Sequence, residues 1–111
     1  KRTFCYISDA ITGYFKILFN GKNGESYNIG VEKPEISMLE LAEKVIKIGK
    51  DNFNYTGKLI FKKSSEKDYL TDNPQRRCPN IEKAKSDLCF SPMIDLDAGL
   101  LNTMYWYSEN L

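Results

Sequence analysis

The chain has 111 residues, 41% hydrophobic and 13% aromatic, with 16 lysines and arginines against 15 acids. That is enough for one small domain with a core, and it leaves no surplus charge to hold nucleic acid or a membrane surface. Histidine is absent, which excludes a Ser-His-Asp triad, a Cys-His pair and most zinc sites.

In chain order, residues 3–7 read as a strand, Phe4 and Tyr6 alternating with Cys5 and Ile7. Ser8 or Asp9 then offers a cap for a helix carrying Ile11, Tyr14, Phe15 and Leu18, which ends at Asn20-Gly21. A polar turn follows over 21–24, and 26–30 (SYNIG) reads as a second short strand. Ser37 and Glu40 match a capping box, in which each side chain satisfies an amide at the start of the helix. Met38, Leu41, Val45 and Ile48 continue that helix, with an expected end near Gly49.

A third strand is expected over 58–62 (KLIFK), followed by an aperiodic stretch over 63–79. That stretch exceeds the usual loop range of about 12–15 residues, and such loops often carry function. Asn80 caps a short helix over 81–88, Pro92 breaks the chain, and Asp95 or Asp97 starts a last helix bearing Leu100, Met104 and Tyr107. Strands alternating with helices predict an α/β fold of about three short strands and four helices. Apolar alternation beginning at Thr3 predicts a domain cut from a longer polypeptide, with the missing strand neighbours lying before it.

The three cysteines, Cys5, Cys78 and Cys89, form no C-x-x-C pair and read as free thiols in a reducing compartment, so a cytoplasmic location is expected. No apolar run approaches the ~20 residues of a membrane span. Arginine suits phosphate and carboxylate oxygens because its planar fork is always charged. Arg2 heads the first strand. Arg76 and Arg77 stand in a loop stiffened by Pro74 and Pro79. Two readings compete: a diphosphate clamp, or surface cations paired with carboxylates such as Asp72, Glu66 or Asp68. The acidic pairs Asp95/Asp97 and Glu66/Asp68 read as caps and solvated charge rather than as a general acid and base. Tyr105, Trp106 and Tyr107 read as core and rim of the last helix. GKNGES lacks the G-x-G-x-x-G spacing and follows a helix, not a strand.

Five stretches together carry a family resemblance. RTFCYISD at 2–9 resembles the R-x-F-x-Y-[VI]-x-D segment of extended short-chain dehydrogenases acting on nucleotide sugars, the NAD-dependent epimerase/dehydratase family. SYNIG at 26–30 and EISMLELAEKV at 35–45 resemble the strand and helix that follow. DNPQRRCPNIEKAKSDLCFSP at 72–92 is similar to D-D-P-x-x-R-x-P-D-I-x-K-A-x-x-x-L-G-W-x-P, strongest in UDP-glucuronate decarboxylases. IDLDAGLLNTMYWY resembles the closing helix. The departures are Cys89 for the common glycine, Phe90 for the aromatic after it, Asn73 and Asn80 for aspartates, and Cys78 for a basic residue.

This resemblance implies that residues 1–111 are the C-terminal, nucleotide-sugar-binding domain of a longer enzyme, an epimerase, dehydratase or decarboxylase. It further implies a separate N-terminal Rossmann domain holding NAD, and a homodimeric parent. The family's two diphosphate arginines fall on Arg2 and Arg77, with Arg76 a lesser candidate, Gln75 and Asp72 positioning the loop, and Tyr6 lining the nucleotide side. The chain contains neither Y-x-x-x-K nor G-x-G-x-x-G, so catalysis and NAD binding are expected outside it, with no catalytic residue and no metal ligand within. A reading of a different class is a stand-alone interaction module whose basic loop docks on an acidic or phosphorylated partner.

Overall fold

The computed structural model describes residues 1–62 and 75–110. Within them lie four helices: α1 (Ile7–Asn20), α2 (Met38–Phe53), α3 (Glu82–Leu88) and α4 (Leu96–Asn110). Helix α1 packs on α3, and α2 packs on α4.

The expected α/β class is overturned. Among the described residues there is no sheet, only two isolated bridges that share Arg2, one antiparallel to Ile36 and one parallel to Arg77. Residues 26–30 and 58–62 form no ladder. Alternation in a sequence reports an extended backbone with two unlike faces. It does not report a neighbour, and a strand exists as such only when its amides and carbonyls find a partner row. The strand expected over 3–7 is displaced as well, because Ile7 is already the first residue of α1.

The helix signals fare better. The Ser37 side chain accepts from the Glu40 amide at 3.1 Å, while the Glu40 carboxylate accepts from the Ser37 amide at 2.7 Å. Helix α2 runs past the expected stop at Gly49 to Phe53, where Asn54 takes a left-handed conformation that ends it. Asp95 accepts from the Ala98 amide at 2.8 Å and so opens α4. Asn80 accepts from the Glu82 amide at 3.0 Å at the head of α3.

Helix α1 has no side-chain cap, and Asp9 does a different task from the one expected. It is 7% exposed, and its carboxylate accepts from the amides of Met93 and Ile94 at 3.1 and 2.9 Å. It therefore ties α1 to the segment that leads into α4. The core cluster is Ile81, Ala84, Leu88 and Phe90, with Ile17 of α1 and the extended Tyr27 and Ile29 packed against it. The Lys16 ammonium donates to the carbonyls of Leu88 and Cys89, at the C-terminal end of α3, where cations are favoured. Between α2 and α4, Phe53 meets Tyr105 edge-on at 4.9 Å, and Lys44 pairs with Asp97 at 2.8 Å.

One face of α1 is left uncovered. Ile7, Ile11, Tyr14, Phe15, Leu18 and Phe19 are all exposed, at spacings that place most of them on one stripe of the helix.

Candidate anion-binding site

Three segments cross at Arg2. Its amide donates to the Ile36 carbonyl at 2.8 Å, and the Ile36 amide returns the bond to the Arg2 carbonyl at 2.9 Å. On the other side, the Arg77 amide donates to the Lys1 carbonyl at 2.9 Å, and Thr3 donates to the Arg77 carbonyl at 3.2 Å. Directly paired residues project to the same face, and their sequence neighbours project to the opposite one. Ile36, Arg2 and Arg77 thus form one row, with the buried Ile36 at its end. Neighbouring segments in such pairing lie about 4.7–4.9 Å apart.

Glu35 and Arg76 belong to the opposite row. The Arg76 Nε donates to both carboxylate oxygens of Glu35, at 2.8 and 3.0 Å, and its Nη2 donates to Oε2 at 2.8 Å. Hydrogen bonding to Arg76 holds the Glu35 carboxyl below its ordinary range and raises the arginine in return. The Arg77 guanidinium makes no hydrogen bond or ion pair to any described residue.

The loop is also fixed from below. The Pro79 ring lies so close to Gly30 that a β-carbon there would stand 2.8 Å from its Cγ. A glycine at the end of SYNIG is what admits the proline. Asn28 donates to the Asn80 carbonyl at 3.0 Å, and Cys78 lies 3.5 Å from the Glu32 carbonyl. Two motifs separated by some fifty positions are thereby held together. An open cleft of about 370 Å³ lies beside them, lined by Thr3, Cys5, Gly30, Arg77, Cys78 and Pro79 among others. Arg2 is not part of that lining.

The remaining predicted residues are placed as follows. Gln75 is exposed, and its carbonyl accepts from the amino group of Lys1. Tyr6 lines a hollow of about 150 Å³ with Leu96, Gly99 and Leu100 at the start of α4, and Cys5 lines both this hollow and the cleft beside Arg77. Asp72, Glu66 and Asp68 lie outside the described residues. Among the described residues, the carboxylate that engages Arg76 is Glu35, 41 residues before it in sequence, and no local signal announced it.

Burial, and then the nearby Asp9 charge, pushes the Cys5 thiol up, so it stays protonated at neutral pH. Among the described residues no group of three His, Cys, Asp or Glu side chains is placed to hold a metal ion, and no helix is long and apolar enough to cross a membrane. Gly21 and Gly24 follow the C-terminal end of α1, where carbonyl oxygens repel a pyrophosphate that a helix N-terminus would attract.

No family model matches the chain. Curated relatives do. The chain is similar to dTDP-D-glucose 4,6-dehydratase of Mus musculus, 29% identical over 112 residues, and to that of Bos taurus, 31% identical over 111 residues. These matches cover 99% and 98% of the chain and 30% of each relative. UDP-glucuronic acid decarboxylase 1 of Arabidopsis thaliana is 35% identical over 99 residues, covering 89% of the chain and 20% of the relative. The region is thus homologous to part of nucleotide-sugar dehydratases and decarboxylases. These homologues, which match nearly the whole chain, are enzymes of the NAD-dependent epimerase/dehydratase family, and the chain spans about 30% of the length of the first relatives it matches.

Proposed function

We propose that residues 1–111 are the substrate-binding part of a nucleotide-sugar dehydratase or decarboxylase, and that Arg2 and Arg77 grip the diphosphate of the nucleotide sugar. The observation that carries this reading is the direct pairing of the two arginines across the parallel bridge. Two planar forks carried on neighbouring segments suit the several oxygens of one diphosphate. The homology along almost the whole chain supports it and weighs against a stand-alone docking module.

The uncovered face of α1 supports a domain that sits against further polypeptide. On this reading NAD and the groups that move hydride and protons belong to the rest of the parent, in a reducing cytoplasm where the three free thiols persist. The domain's own task is to bind and orient. A fixed diphosphate anchors the nucleotide half of the substrate and leaves the sugar to be presented to the catalytic part.

Calorimetric titration of UDP and dTDP into the polypeptide carrying residues 1–111 tests this. Arg77→Ala removes charge-assisted hydrogen bonds worth about 1.5–3 kcal/mol, so affinity should fall about tenfold or more. Unchanged affinity for both nucleotides overturns the assignment.

A further inference from the structure

We infer that Glu35 and Arg76 form a positioning latch that sets the register of the arginine row, so that Arg76 acts through Arg77 and is not itself an anion ligand. The inference rests on the diphosphate reading above and adds two residues with a stated role, one of which sequence patterns do not mark.

The argument begins with the crossing. Arg77 reaches its place through two backbone hydrogen bonds to the segment 1–3, and one isolated bridge is a weak constraint on a loop. The Glu35–Arg76 pair adds a second constraint between the outer segments. It spans from the residue before Ile36 to the residue before Arg77, on the face opposite the row Ile36, Arg2 and Arg77. A slip of the loop by one residue would carry Arg77 to the latch face and Arg76 to the anion face. The bidentate fork penalises that slip, because it is satisfied only when Arg76 lies on the Glu35 side.

An exposed ion pair contributes little in general, about 0.2–1 kcal/mol, and Arg76 is 71% exposed. Fork geometry is the favourable exception, and the Glu35 side chain is only 22% exposed. With all three of its hydrogen bonds directed to Glu35, the Arg76 fork has its best donors occupied. The neighbouring Arg77 has none of its own occupied by a described residue. One cation is therefore committed to holding, and the other is presented.

The sign of one substitution separates the latch from the alternatives. Inorganic pyrophosphate is titrated calorimetrically into the polypeptide carrying residues 1–111 and into its variants. Glu35→Gln deletes a negative charge near the site. If Arg76 were a direct ligand, the substitution would release it and binding would tighten. If the latch positions Arg77, binding weakens about two- to fivefold, the equivalent of the pair's contribution. The exchanged pair Glu35→Arg with Arg76→Glu restores binding to within about twofold of the parent, which general damage to the fold would not allow. Far-UV circular dichroism and a thermal melt on each variant establish that it is folded. Tighter or unchanged binding in folded Glu35→Gln overturns the latch, and so does failure of the folded exchange to rescue. Arg77→Ala is the separate control. If it leaves pyrophosphate binding unchanged, the diphosphate reading itself fails; if it weakens binding while Glu35→Gln does not, only the latch does.

Discussion

Helix α3 has seven residues and buries Ala84 and Leu88, whereas α2 has sixteen, a complete capping box and a buried glycine. The contrast extends to their surroundings. Ile81, Leu88 and Phe90 are 1–3% exposed around α3, while Met38 and Leu39 of α2 and Tyr105, Trp106 and Tyr107 of α4 stand open. The helix that announces itself most clearly is thus not the one on which the fold closes. Capping and periodicity report how a segment is satisfied along its own axis. Burial depends on what crosses over it, and α3 is crossed by α1, by Tyr27 and Ile29, and by the turn back to Phe90.

Substitutions in the two halves sharpen this contrast. Phe90→Ala should have the largest effect. It empties a fully enclosed ring site, and the denaturation midpoint should fall by the equivalent of about 3–5 kcal/mol. An exposed counterpart, Trp106→Ala, should change stability by no more than about 0.5 kcal/mol. Equal losses for the two in urea titration would erase the distinction between a closed and an open half.

Asp9→Ala should come next. It leaves the Met93 and Ile94 amides without their acceptor and frees α1 from the lead-in to α4, at about 1.5–3 kcal/mol. Hydrogen exchange at those two amides should speed up more than exchange in α2. Equal acceleration in α2 would mean that the two halves unfold as one.

The smallest effect has the opposite sign. Cys89 ends α3 with φ near 50°, in the left-handed region that glycine occupies without steric cost. Cys89→Gly should therefore stabilise the α3 half by about 1 kcal/mol, read as a rise in melting temperature. A fall would indicate that the thiol makes contacts outweighing the backbone strain.

Much of the helical content was legible in advance, and for local reasons. The Ser37–Glu40 box needs only residues three apart, and Asp95 at the start of α4 needs only its own next turn. The strands were misread because the same alternation describes an extended segment with or without a partner row. Asp9 was read as a helix cap because aspartate near a helix start usually is one, while its true acceptor role depends on amides 84 and 85 positions away. The same limit hid Glu35, whose meaning comes only from Arg76. The arginines themselves were visible by type and by motif. Their side-by-side placement was implied by the family resemblance alone, since it requires a chain crossing that no spacing encodes. Cys89 marks the reverse case: its departure from the family pattern was plain in the sequence, and the left-handed backbone supplies its physical meaning.

The junction at Arg2 also has a temporal consequence. It joins the start of the chain to residue 36 and then to residue 77, so each closure must gather a long span of chain before any bond is made. Contacts across such spans form late compared with the short-range ones inside each helix. During synthesis the first three residues must wait for their second partner until residue 77 has left the ribosome. The crossing is therefore completed after α1 and α2 have been made and before α3 and α4, so the proposed anion site takes shape between the two halves of the helical scaffold.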